Sequence, residues 1–159
     1  MKKRVMEKTL VIFKPSAIQR GLIGEIIQRF ERKGLQLVGI KMVQLNDEIL
    51  NIHYKHLIDK PFFERIKDSM KRCPVIVQCW IGPEAVSTIR NLTGSTNGRQ
   101  ASIGTIRGDF SISIQENIVH TSDSPQAAEI EVKRFFDSNE IFNYSLNISS
   151  YLYADSEKQ

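Results

Sequence analysis

Leu10-Val11-Ile12-Phe13-Lys14-Pro15 is a run of four apolar residues closed by a lysine and a proline. A run so short, ended so abruptly, predicts a buried β-strand. Working outward, Leu22, Ile23, Ile26, Ile27 and Phe30 recur at helical spacing, and Gly34 stands where a C-cap belongs. Leu35 to Leu45, rich in Leu, Val and Ile, predicts a second strand. Asn46 is placed to cap a helix that opens with Asp47 and Glu48 and runs past Tyr54 and His56. Pro61 begins another short helix through Arg72, and Val75 to Ile81 predicts a third strand. Gly82-Pro83 opens a helix holding Val86, Ile89 and Arg90, with Pro83 at its first position. Gly94 to Gly104 has no periodicity and predicts a long loop, and long ordered loops are often functional. Ile112 to His120 predicts the fourth strand, and Ser124-Pro125 starts a last helix with Ala128, Val132 and Phe135 along one side. Four strands with about five helices suit one α+β domain spanning 1–159, a single layer of sheet and helices. Its core is expected over about 8–153, with flexible ends at 1–7 and 154–159.

Composition sets wide bounds. With 41% hydrophobic and 25% charged residues the chain is globular rather than disordered. A net charge of +4 admits an anionic substrate but selects no partner. Two cysteines are too few for a disulfide framework, and zinc ligands are missing beside them. The alternation of Val75, Val77, Cys79 and Ile81 puts Cys79 on a core face as a free thiol. No apolar segment follows the basic start Met1-Lys2-Lys3-Arg4, so neither a signal peptide nor a membrane span is expected, and a cytoplasmic location is. The basic residues are not run together with aromatics, which leaves nucleic acid binding a side activity at most.

Standard phosphate motifs are absent: there is no Gly-x-x-x-x-Gly-Lys-Ser/Thr and no kinase catalytic loop, and Gly108-Asp109-Phe110 has the wrong order for the metal-binding triplet. Any phosphate chemistry needs another device. In Asn117-Ile118-Val119-His120-Thr121-Ser122-Asp123-Ser124, His120 ends an apolar strand before a polar turn. A histidine there can act as a nucleophile if one ring nitrogen is free and the other is held. Glu131, eleven residues on, can fold back as that holding group. Lys14, Arg90 and Arg107 are cations of the kind that clamp a polyphosphate. Arg107 has glycines on both sides, which let backbone approach a ligand closely. In Pro61-Phe62-Phe63, either both rings enter the core or one stays exposed for a base to stack on. His53 and His56 stand three apart without an acidic or cysteine partner, and are expected on a solvated helix face.

These residues, in this order, resemble the nucleoside diphosphate kinases from about Lys8 to Tyr153. The resemblance rests on Lys14-Pro15, Gln19 to Ile27, Arg29-Phe30-Glu31, His53-Tyr54, Lys60 to Phe63, Gly94 to Asn97, Gly104 to Phe110 and Asn117 to Ser124. It implies a ferredoxin-like α+β fold with a four-stranded antiparallel sheet flanked by helices. It implies a ping-pong reaction in which a Mg²⁺-bound nucleoside triphosphate such as ATP phosphorylates a histidine, which then phosphorylates a diphosphate such as GDP. His120 matches the nucleophile, Glu131 its orienting carboxylate, Ser122 the neighbouring hydroxyl and Tyr54 an active-site tyrosine. Lys14, Arg90, Thr96, Arg107 and Asn117 match phosphate and sugar ligands, and Phe62 the base-stacking ring. Mg²⁺ is expected mainly on the nucleotide's phosphates, with Asp123 a contact directly or through water.

The chain departs from the family pattern at four places: Ser16-Ala17 for Asp-Gly, Thr121 for Gly or Ala, Gly98 for Pro, and Ile103 for Pro. Losing two prolines is expected to loosen the loop. The stretch Ile141 to Tyr153 resembles that of hexamer-forming members, so a homohexamer is expected. The alternatives are a nucleotide-binding scaffold without catalysis, which would take up no phosphate, and a nucleic-acid binder, whose affinity would fall with salt.

Overall fold

The computed structural model describes residues 6–157. Four strands form one antiparallel sheet in the order β2-β3-β1-β4. They are β1 (Met6–Phe13), β2 (Gln36–Val43), β3 (Val75–Pro83) and β4 (Val119–Thr121). The main helices are α1 (Pro15–Gln19), α2 (Ile23–Lys33), α3 (Asp47–His53), α4 (Phe63–Lys71), α5 (Ala85–Thr93), α6 (Ile106–Phe110), α7 (Pro125–Phe135) and α8 (Ser149–Leu152).

The opening run explains the architecture. Successive side chains of a strand point to opposite faces, and Leu10, Val11, Ile12 and Phe13 are all fully buried. Both faces of β1 are therefore covered. Leu10 and Ile12 share a core with Val75, Val77, Cys79, Leu50 of α3, Met70 of α4 and Phe135 of α7. Val11 and Phe13 share another with Ile76, Trp80, Phe30 of α2, Ile89 of α5 and Ile106 of α6. The expected four-stranded antiparallel α+β sheet is present, but helices pack on both of its faces rather than forming a single layer with it.

Local signals set several boundaries. Gly34 ends α2 with φ 98°, a left-handed C-cap that glycine adopts without strain. Asn46 caps α3 by accepting from Ile49 N at 3.0 Å, and Ser124 caps α7 by accepting from Ala127 N at 3.1 Å. Other boundaries moved. α3 stops at His53, and Lys55–Leu57 is a separate 3₁₀ turn. Pro83 does not open a helix: it closes β3, paired with Met6, and α5 begins at Ala85 after Glu84 adopts φ 46°. Regular elements reach into both ends. Met6 and Glu7 belong to β1, and Asp155–Glu157 forms a 3₁₀ turn. The rest of the flexibility expected at 1–5 and 158–159 lies outside the described residues. Cys79 is buried, and burial pushes its thiol up to about 11, as suits an inert core group. No helix among the described residues is long and apolar enough to cross a membrane.

The largest correction concerns the fourth strand, which occupies only Val119–Thr121. Val119 N donates to Asn117 O at 2.8 Å, and Ile118 between them has φ 74°. This is a γ-turn with a left-handed centre, which is rare and strained for a β-branched residue. It breaks the predicted strand two residues before His120. Strain of this kind persists only where the surroundings enforce it.

Candidate active site

β1 and β4 deliver the site. His120 is paired with Ile12, and Lys14 follows directly after β1 as the N-cap residue of α1. A cavity of about 560 Å³ opens at this end of the sheet. Of the residues expected to act, Lys14, Tyr54, Phe62, Arg90, Thr96, Arg107, Asn117, His120, Asp123 and Glu131 all line it. Ser122 does not. Its hydroxyl is fully buried, accepts from Leu10 N at 3.3 Å and donates to Glu131 Oε2 at 2.5 Å. It therefore holds Glu131 rather than facing the cavity.

The other carboxylate oxygen, Glu131 Oε1, lies 3.2 Å from His120 Nε2. Burial pushes the Glu131 carboxyl up. The hydrogen bonds from His120 and Ser122 and the His120 charge outweigh it, and hold the group down at about 2. Glu131 is thus a carboxylate that can only accept, so His120 Nε2 carries a proton. Nδ1 is left with its lone pair, and makes no hydrogen bond among the described residues.

The γ-turn is clamped by Arg107, whose Nε donates to Asn117 O at 3.1 Å, Nη1 to Gly94 O at 3.0 Å and Nη2 to Val119 O at 2.7 Å. Lys14 Nζ donates to Asn117 Oδ1 at 2.6 Å, and Asn117 Nδ2 donates to Thr96 O at 3.0 Å. Lys14, Asn117 and the Gly94–Gly104 loop are thereby tied into one wall. Burial, then the neighbouring Arg107 charge, lowers the Lys14 ammonium to about 8, against a smaller pull upward from Glu116. Burial and then Arg90 lower Arg107 to about 10. Cations crowded at a cavity and lowered by burial and by one another are what an anionic ligand relieves. Arg90, on α5, is paired with Asp123 at the rim.

Phe62 and Phe63 divide as one of the two readings had it. Phe63 is in the core, and Phe62 is half-buried and lines the cavity. Ile114, Leu57, Arg65 and Gln115 also line the cavity and were not foreseen. Ile114 and Gln115 were assigned to the interior of a strand. They lie instead in the loop that precedes the γ-turn.

His53 corrects the sequence reading. It is not on a solvated face: it is 6% exposed, its ring edge-on to His120 with centroids 4.4 Å apart. Burial, then the His120 charge, lowers it to about 2, so it is a neutral ring. His56 is exposed, in the following turn, and lines the cavity. One ligand atom each of His53, His120 and Glu131 lie within 4.8 Å of one another. The set does not suit a metal ion, because Arg134 already occupies His53 Nδ1 at 2.9 Å.

Gly98 is closely surrounded in this loop. Its N–H donates to Ser113 O at 3.3 Å, and a Cβ at this position would run into the Ser111 backbone. Restoring the family residue here is therefore expected to harm the chain. Gly98→Pro removes a donor and forces that contact, for a loss of about 2 kcal/mol or more. Thermal unfolding of the variant checks this, with a drop in Tm of several degrees expected. Ile103, the other lost proline position, is 94% exposed.

The comparisons agree with this geometry. The sequence profile described as "Nucleoside diphosphate kinase" matches residues 7–141. A nucleoside diphosphate kinase of Parabacteroides distasonis is 64% identical over 152 residues, covering 96% of this chain and 99% of its own. One of Bacillus cereus is 44% identical over 148 residues, covering 93% of this chain and all of its own. Among solved structures, a halophilic nucleoside diphosphate kinase from Halobacterium salinarum, in complex with CDP, superposes with a TM-score of 0.91 at 37% identity. That match covers 94% of this chain and 100% of the other. A strand carrying His120 and a helix carrying Glu131 beside a cation-lined cavity, with matches along nearly the whole length, make this chain a member of the nucleoside diphosphate kinase family of phosphotransferase enzymes.

Proposed function

We propose that the chain moves the terminal phosphoryl group of a nucleoside triphosphate, typically ATP, to a nucleoside diphosphate such as GDP through a phosphate carried on His120 Nδ1. The observation that carries this reading is the pairing of Nε2 with Glu131, which leaves the lone pair on Nδ1 of a ring that lines the cavity. In the first half-reaction that lone pair attacks the γ-phosphorus. The P–N bond forms as the bond to the β–γ bridging oxygen breaks, and the diphosphate leaves with the electron pair. The ring then bears positive charge, which the Glu131 carboxylate stabilises through Nε2–H. In the second half a terminal oxygen of the acceptor diphosphate attacks the phosphorus, and the P–N electrons return to Nδ1.

Phosphoryl transfer needs mainly positioning and charge neutralisation. Lys14, Arg90 and Arg107 supply fixed cations, and Thr96 and Asn117 supply polar groups on the same wall. Phe62 offers its ring to the base, a contact that tolerates any base. The Tyr54 hydroxyl is buried at the cavity without a hydrogen-bond partner among the described residues, a donor available to a substrate. Enzymes of this family use a divalent cation, and we take it to be Mg²⁺ on the nucleotide's phosphates. Asp123, a rim carboxylate beside His120, is the hard oxygen ligand suited to it, directly or through water. When bound, the ion supplies further neutralisation of phosphate charge. We take the protein to be a phosphoprotein in its working cycle, cytoplasmic, and a homohexamer. Assembly is favoured by exposed apolar side chains on the edge strand β2, Ile40 at 48% and Met42 at 59%, and by Ile103 at 94%.

Steady-state kinetics test the route. Varying ATP at several fixed GDP concentrations gives parallel double-reciprocal lines if phosphate is parked on the protein. Intersecting lines would require both nucleotides bound together and sink the reading.

Lys14 makes a pH dependence. Its folded value, about 8, lies below the ordinary 10.5, so in the free protein the ammonium loses its charge as pH rises through about 8. The sign is that of a buried cation: the charged form costs stability below about 8, and that cost fades as pH rises toward 10.5. The expected result is a kcat/KM that falls above about pH 8, a limb that Lys14→Arg moves to higher pH. A pH profile of wild type and variant with the same falling limb would assign it to another group.

A further inference from the structure

One partly buried pair beside the site, Arg134 and His53, has no part in the chemistry above. Arg134 lies on α7 three residues beyond Glu131, on the same side of the helix. Its Nη1 is 2.9 Å from Nδ1 of His53. A guanidinium only donates, so Nδ1 must accept, and the neutral ring of His53 carries its proton on Nε2. That Nε2 is buried and has no hydrogen-bond partner among the described residues. The ring is wedged edge-on between Tyr54 at 4.7 Å, Phe135 at 5.4 Å and His120 at 4.4 Å. The titratable groups that face it are Arg134 and Glu131 from α7, His120 from β4, and Tyr54 and His56 from its own stretch.

We propose that Arg134 is a positioning residue that acts through His53 to keep Glu131 the sole acceptor open to the His120 ring. Without the guanidinium, His53 is free to carry its proton on Nδ1 and turn Nε2 into an acceptor. The His53 and His120 rings meet edge-on with centroids 4.4 Å apart, and one ligand atom each of His53, His120 and Glu131 lie within 4.8 Å of one another, so an acceptor on the His53 ring competes at close range. It would draw a His120 N–H away from Glu131, or hold the proton on His120 Nδ1, the nitrogen whose lone pair is needed. Arg134 removes that choice. The same tautomer argues against a metal on this cluster, since the ion would have to displace either the Arg134 hydrogen bond or the Nε2 proton. The proposal rests on phosphoryl transfer through His120.

The test compares wild type, Arg134→Leu and Arg134→Lys in two readouts. Nitrogen-15 NMR of ring-labelled histidine reports which nitrogen of His53 and of His120 bears the proton. Rapid-quench labelling with γ-labelled ATP and Mg²⁺ reports the rate of His120 phosphorylation. In wild type and Arg134→Lys, which keeps a donor and no acceptor, His53 is expected as the Nε2–H form. In Arg134→Leu it is expected to populate the other tautomer. His120 phosphorylation in Arg134→Leu is expected to slow about tenfold with KM for ATP unchanged, the low end of what losing a charge-assisted hydrogen bond shifts. Arg134→Lys is expected to restore most of the rate. A wild-type His53 protonated on Nδ1, or an Arg134→Leu protein labelled at the wild-type rate, overturns the proposal. Wild type that takes up no label at all fails a different claim, phosphoryl transfer itself, while the NMR comparison still reads the Arg134–His53 tautomer.

Discussion

His120→Ala is expected to take up no phosphate from γ-labelled ATP and to lose at least about 10⁴-fold in nucleotide exchange, while still binding nucleotide. The separation of binding from chemistry follows from where the groups sit. The cations of the cavity, Lys14, Arg90 and Arg107, hang on β1, α5 and α6 and do not depend on the imidazole for their placement. Arg107 is fixed by three carbonyls and Lys14 by Asn117. Removing the ring leaves Glu131 still bonded to Ser122. The fold therefore loses little, and calorimetric titration with ATP is expected to give an affinity within a few-fold of wild type. An alanine variant that still exchanges phosphate would require another nucleophile. Ser122 is a poor candidate, because its hydroxyl is buried against Glu131 and Leu10.

The second large effect is expected at Arg107, and there stability and activity fall together. Arg107→Leu removes three donors at once from the backbone of Asn117, Gly94 and Val119. Losing donors to buried carbonyls costs about 1–3 kcal/mol for each group left unsatisfied. The carbonyls belong to the γ-turn that carries the left-handed Ile118, so the clamp is also what holds that strain. The sum is about 3 kcal/mol or more, a fall in Tm of about 10 °C for a domain of this size. Arg107→Lys is expected to rescue little, because one ammonium cannot span three carbonyls as a planar fork does. Thermal unfolding and kcat/KM measured on both variants check this. A lysine variant with wild-type stability would show that the fork geometry does not matter.

What was legible in the sequence was what local chemistry determines. The buried run Leu10 to Phe13, the Gly34 C-cap and the caps at Asn46 and Ser124 depend on neighbours within a few residues, and all are present. So was the His120–Glu131 pair, because a residue eleven positions on returns across a single turn and helix. Two short helices left a weaker trace. α1 and α6 are five residues each, too short for a hydrophobic period. Pro15 at the helix start and Thr105, whose side chain accepts from Gly108 N, were the available signals. Three features were out of reach. The left-handed Ile118 is imposed by Arg107 and Lys14 from elsewhere in the chain, against the preference of a β-branched residue. The burial of His53 depends on Arg134 and Phe135, about eighty residues away in sequence. The place of Ile114 in the cavity lining follows only once the γ-turn has ended the strand.

The central claim is that Nδ1 of His120 is the atom that carries the phosphate. The direct measurement is phosphorus–nitrogen NMR of the ring-labelled protein after reaction with ATP and removal of nucleotide under alkaline conditions. The account predicts one phosphoryl group, coupled to Nδ1 of His120, that disappears when GDP is added and reappears as GTP. A phosphoryl group on Nε2 would contradict it, because that nitrogen is held by Glu131, and so would one on a serine oxygen.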